Sequence, residues 1–295
     1  MKDSIGEKVF GVINAAFLLA VSFVCLFPVL HVLAISFSDS TAAAAGKVWL
    51  WPVDFSFASY DFVIQKPQFL KALNVTVLRV IFGLVIGMAI TIITAYPLSR
   101  ETSEFPSRTK YVWFLFLTVL FSGGLIPLYM TVRALGLIDS FWSLILPGAL
   151  SVWNVILLLN FIRTLPKEVE ESAFIDGAGH WTTLWRIIVP MSKPVLATLV
   201  VFTAVWHWNS WVDGLIFMNM PGNYPLQTYI QTTVISIDLN NVSQLSAKEL
   251  AMLSTISDRT SRAAQIFVAT LPIFLVYPFL QRYFIKGIVL GSVRE

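Results

Sequence analysis

The hydrophobic positions of this chain run in long unbroken blocks, not in the one-sided stripe of a helix packed at a water-exposed surface. No Asp, Glu, Lys or Arg occurs at 9–38, 80–99, 111–132, 140–162, 194–212 or 263–281. A helix needs about 20 mostly apolar residues to cross a bilayer core of about 30 Å. The six blocks therefore predict six transmembrane helices and an all-α integral membrane protein. Helices buried in a soluble protein would need amphipathic partners with polar faces, and none are present. The first block follows Lys8 and far exceeds the roughly 7–15 apolar residues of a signal-peptide core, so an uncleaved helix is expected, kinked at Pro28.

Composition agrees with lipid as the main solvent. Hydrophobic residues make up 57% and charged residues 13%, where soluble domains carry about 25% charged. This excludes a disordered chain, a disulfide scaffold and a nucleic-acid binder, since the net charge is only +3. The lone Cys25 is expected to be a small packing residue buried in the first span.

The placement of the charges says more than their sum. With the N-terminus inside, segments 1–8, 100–110, 163–193 and 282–295 hold twelve Lys and Arg, and the longer outer segments hold seven. That bias puts both termini in the cytoplasm. Arg79 stands at the outer entry to the second span, where a snorkelling anchor is expected. Tryptophans gather at span ends and in the first outer loop, as an interfacial belt would. Gly83 and Gly87 give the second span a smooth face for close packing.

The spans contain no Asp, Glu, Lys or Arg, so a self-coupled carrier has no obvious ion relay. His31, His180 and His207 are scattered without a metal-ligand spacing, and no metal is expected. The chain also lacks GxxxxGK[ST], so ATP and Mg are expected on a separate ATPase polypeptide and no cofactor on this one. No catalytic constellation is visible, and an enzyme is not expected.

One inner loop, 163–193, has structure of its own. Thr164 is expected to cap a helix, Pro166 to fill its first turn, and Glu168, Glu170 and Glu171 to complement its dipole. Ala173 and Gly177 fall four apart, on one face beside Phe174. Gly177 and Gly179 permit a break before a second helix over about 180–188, and Pro190 and Pro194 close the segment. Such a pair presents an acidic edge and a shallow apolar knob. As structure alone, it is an interfacial hairpin bracing spans four and five.

The spacing adds to this. Glu171-Ser172-Ala173, three residues, Gly177, nine residues, Ile187, one residue and Val189-Pro190 resembles the EAA loop of binding-protein-dependent ABC importers. Ser172 and Val189 depart from that pattern conservatively. The stretches 121–127, 146–149 and 207–211, with the tail residues 284–287 and 291–293, resemble the carbohydrate-uptake (MalG/LplC-like) branch, including permeases of alginate importers. The resemblance implies a type I ABC importer transmembrane domain in the bacterial inner membrane. It also implies a homologous second permease, two ATPase subunits, an extracytoplasmic binding protein and an oligosaccharide cargo, acidic ones included. Within the loop it implies that Glu171, Ser172, Ala173, Asp176, Gly177, Ile187 and Pro190 couple to the ATPase. A permease for a peptide, phosphate or other non-sugar solute stays open, as does a stand-alone carrier or channel.

Sugar sites pair aromatic faces with planar polar groups. Trp206, Trp208, Asn209, Trp211 and Asp213 offer that mixture toward the outer end of span five, with a lipid-facing belt as the competing reading. Helical spacing would put Trp208 with Trp211, or Asn209 with Asp213, on a common face. Arg79 and Arg133 would favour an acidic cargo, although arginines at helix ends are commonly anchors. Residues 1–71 are expected to form the first helix and outer loop, and 72–295 the permease core. A surface helix near Ala247–Leu253 is expected in the polar segment 238–258.

Overall fold

The computed structural model describes residues 5–235 and 259–274. The expected surface helix near Ala247–Leu253, the end of the sixth apolar block and the C-terminal tail lie outside them. All regular structure among the described residues is helical. Among the described residues, two helices are long and apolar enough to cross a membrane as single rods: α1 (Ile5–Ser36), which continues through Pro28, and α4 (Pro67–Ser99). α4 starts thirteen residues before its charge-free block, because Lys71 and Arg79 are accommodated within the helix.

Two further apolar blocks form bent pairs instead of the straight spans expected, and the fifth forms a bent pair with the inner-loop helix before it. The third is α5 (Arg108–Leu120) and α6 (Leu125–Ala134), turned by 115°. The break falls at 121–124, where Phe121 is extended and Gly124 has φ +84°, a left-handed value that suits glycine. The fourth is a pair of 3₁₀ turns over Phe141–Gly148 followed by α7 (Val152–Ile162), bent by 47°. The fifth is α11 (Lys193–Asn209), preceded at 82° by the helical segment His180–Met191. Charge-free length measured how much chain is apolar, but glycine and proline set where the rods break.

The chain divides into two compact units, Met1–Leu70 with Ile230–Pro272, and Lys71–Tyr229 with Ile273–Glu295. In the first, α1 is followed by α2 (Ser40–Ala44) and α3 (Ala58–Gln65). Asp39 caps α2 by accepting from the Thr41 N–H at 2.9 Å. Ala34, Ile35, Ala42, Ala43 and Val48 pack with Ala263 of the helix over 259–274, and Arg259 donates to the Ala43 carbonyl at 3.2 Å. Ile230–Pro272 thus clusters with the first helix and outer loop. Cys25 is exposed, contrary to the buried packing role expected, because most of α1 finds no partner among the described residues.

The second unit is built on the inner half of α4, α7 and α11. Ile92, Ala95, Tyr96 and Leu98 pack with Val155, Leu158 and Leu159, closed by Leu184, Ile188 and Leu199. Gly83 and Gly87 do give α4 a smooth face: a Cβ on Gly83 would fall 2.2 Å from the His207 ring, and one on Gly87 3.3 Å from the Ala149 carbonyl. At the end of α4 the Leu98 carbonyl accepts from Arg108 Nε at 2.7 Å and the Ser99 carbonyl from Arg163 Nε at 3.3 Å. Two cations thus serve carbonyls that have no intrahelical donor, at the negative end of the dipole.

Candidate functional site

The loop after α7 folds as a helix pair. α8 (Lys167–Ile175) begins with Pro166 at its N-cap, and Glu168 and Glu170 stand in its first turn. Thr164 is not the cap expected: its hydroxyl donates to the Phe161 carbonyl at 2.7 Å and finishes α7 instead. α8 ends at Asp176, after which Gly177 turns left-handed at φ +82°. The Gly177 N–H reaches the Phe174 carbonyl at 3.0 Å and the Ala178 N–H the Ala173 carbonyl at 2.9 Å. That double bond pattern is the Schellman cap, and it accounts for glycine four residues after Ala173. Gly177 therefore lies past the helix, not on a shared helical face with Ala173 as expected. α9 (His180–Thr183) passes into a π-helical turn at Leu184–Ile188 and then α10 (Val189–Met191).

The residues expected in this loop divide by exposure. Glu171, Ser172, Asp176, Gly177 and Pro190 are exposed, Ile187 is partly buried, and Ala173 is buried at 7%. The Ser172 hydroxyl is turned back onto the Val169 carbonyl at 2.9 Å. What pins the pair is Glu170, expected from the sequence only to complement the helix dipole. Glu170 is ion-paired with Arg100 and accepts from the Tyr96 hydroxyl at 3.2 Å. Arg100 lies over the Tyr96 ring at 4.3 Å, and Phe174 meets the His180 ring at 5.0 Å. Lys167 pairs with Glu101 at the surface, and that contact lowers the Glu101 carboxyl and raises the Lys167 ammonium. A signal did exist: Arg100 is the first charge after a twenty-residue apolar block, and a half-buried cation there needs a partner.

The second candidate site, at 206–213, is not one helix face. α11 ends at Asn209, Ser210 is extended, and α12 (Val212–Phe217) starts afresh. Trp208 is buried while Trp211 is exposed, and Asn209 is exposed while Asp213 is partly buried, so the expected pairs do not share a face. Asp213 is instead the partner of Arg79. Both arginine amino groups meet the carboxylate, Nη1 at 3.2 Å from Oδ1, and Nη1 also reaches the Ser210 carbonyl at 3.3 Å. Arg79 is 0% exposed, so the snorkelling anchor expected from its position is overturned. Asp213 further accepts from the Ser210 hydroxyl at 3.0 Å and the Gly214 N–H at 2.9 Å. This network holds the break between α11 and α12 against α4.

Trp206 lies on the other side of that break. Its ring rests where a Cβ on Gly148 would stand 2.5 Å away, which explains the glycine of the 146–149 stretch. Beside it opens a cavity of about 470 Å³ between α4, α7 and α11, lined by Thr91, Asn154, Thr203, Trp153, Trp206 and His207 among others. Of the five residues expected on the path, Trp206 alone lines it.

Long apolar rods, broken spans around buried polar groups and an anchored helix pair define a helical, membrane-embedded permease subunit. The chain belongs to the family of binding-protein-dependent transport system inner membrane components, whose sequence profile matches residues 75–289. It is similar to LplC of Bacillus subtilis (strain 168), 35% identical over 294 residues, covering 100% of this chain and 98% of LplC. It is also similar to the polygalacturonan/rhamnogalacturonan transport system permease YtcP of the same strain, 35% identical over 288 residues, covering 98% and 99% of the two chains. A solved chain of a bacterial ABC transporter involved in import of the acidic polysaccharide alginate superposes with a TM-score of 0.88 at 29% identity, covering 96% of this chain and 99% of that one.

Proposed function

We propose that this chain is one of two transmembrane subunits of an ATP-driven, binding-protein-dependent importer for oligosaccharides, acidic ones such as alginate included. Both termini face the cytoplasm, and the α8–α9 pair is the coupling element. The observation that carries the reading is the mounting of α8. Its inward edge is fixed through Glu170 to Arg100 at the end of α4, and its outward edge leaves Glu171 and Ser172 exposed among the described residues. A helix held on one side and exposed on the other passes a push to the spans behind it.

ATP and Mg bind on separate ATPase subunits, whose closure drives the two coupling pairs together. A homologous permease completes the path, and an extracytoplasmic binding protein delivers the cargo. Relatives that handle alginate and polygalacturonan support an acidic oligosaccharide. The test is uptake by the assembled complex in vesicles. Glu171→Lys and Gly177→Asp are expected to leave the subunit in the membrane and abolish coupled uptake. Normal uptake by both variants would sink the role given to this loop.

A further inference from the structure

We infer that the cavity between α4, α7 and α11 is a subsite for one carboxylated sugar ring, a hexuronate, carried on this subunit. The inference rests on the importer reading and adds the residues and the ring chemistry. Trp153 and Trp206 line the cavity and are 64% and 50% exposed, so their ring faces are available to the apolar C–H side of a pyranose. Asn154 and Thr203, already bonded to each other at 3.1 Å, and Thr91 supply planar and hydroxyl groups beside them.

Two further observations place an anion here. The break in the fourth block leaves Leu150 and Ser151 outside any helix at the cavity wall, and non-helical backbone at membrane depth is tolerated where it lines a watered cavity or is buried in protein. α7 starts at that point. Ser151 accepts from the Asn154 N–H at 3.3 Å, and the N–H groups of Val152 and Trp153 have no acceptor within the helix. The positive end of the α7 dipole therefore opens on the cavity, and no Asp or Glu is among its lining residues. Independently, His207 lines the same cavity at 2% exposure, and its Nδ1 has no hydrogen-bond partner. A buried ring nitrogen without a partner is costly unless a ligand or water completes it.

The experiment uses the assembled complex with Cys25→Ser as background, because Cys25 is the only cysteine of the chain. Leu150→Cys then places one thiol on the cavity wall, to be labelled with a membrane-impermeant thiol reagent. Trigalacturonate at ten times its Kd is expected to slow labelling about tenfold by mass action, and the neutral maltotriose is not. Trp153→Ala is expected to abolish that protection and Trp153→Phe to retain it. Failure of the thiol to react at all, absence of protection, or equal protection by both sugars overturns the subsite. ATP-driven accumulation by the unsubstituted complex is measured separately: its absence sinks the importer reading whatever the labelling shows.

Discussion

Arg79 and Asp213 meet inside the bundle, and removal of either partner alone leaves the other charge without compensation. Asp213→Asn is expected to destabilise by about 3 kcal/mol, since breaking a buried pair costs about 3–5 kcal/mol and Asp213 is partly exposed. The double variant Arg79→Met with Asp213→Leu is expected to recover most of that loss in thermal unfolding of the purified subunit. Equal losses in the single and double variants would mean that the pair is not a unit. Gly83 makes a similar point through shape. A methyl group there meets the His207 ring at 2.2 Å, so Gly83→Ala is expected to cost about 1–3 kcal/mol by overpacking. Gly11→Ala, with nothing within 4 Å, is expected to be neutral. The sequence showed that Gly83 gave a smooth face, but not that a histidine 124 positions later fills it.

At the scale of elements, the helix pair was legible because a Glu-rich first turn and a glycine break are local signals. Its caps were not: Thr164 finishes α7, and Gly177 turns left-handed past α8 instead of sharing a face with Ala173. Gly177→Ala is expected to fray α8 at a cost of about 1 kcal/mol from the positive φ, seen as faster hydrogen exchange over 173–178. Glu170 and Arg100 were not legible as a pair, since they stand seventy residues apart and meet only when α8 folds against the end of α4. On another loop, Asp139 accepts from the Asn219 N–H at 3.2 Å and the Asn223 side-chain amide at 3.2 Å. The hydrogen bond from the Asn223 amide, larger than the opposing desolvation and helped by the Asn219 and Met220 N–H groups, holds this carboxyl below the ordinary carboxylate range. A lowered folded-state value means that the clasp contributes above the unfolded value and is lost as pH falls through the folded one. Protease cleavage within 218–224 is expected to rise only in that acid window, and Asp139→Ala is expected to raise it at neutral pH.

For the whole molecule, most of α1 is exposed apolar surface, and two of the apolar blocks are bent pairs. This chain alone in vesicles is expected to pass no oligosaccharide, with or without ATP. Flux by the isolated subunit, measured with labelled sugar, would favour a channel or carrier. The sequence by itself determined a helical membrane protein, its apolar blocks and the helix pair between the fourth and fifth. Those follow from hydropathy and capping, which act over a few residues. Only the tertiary structure decided that two blocks bend, that Arg79 is buried on Asp213, that Glu170 anchors α8, and that Trp206 lines a cavity while Trp208 and Trp211 do not. Each depends on which distant side chains meet, and glycine breaks and long-range ion pairing leave no periodic trace in the chain.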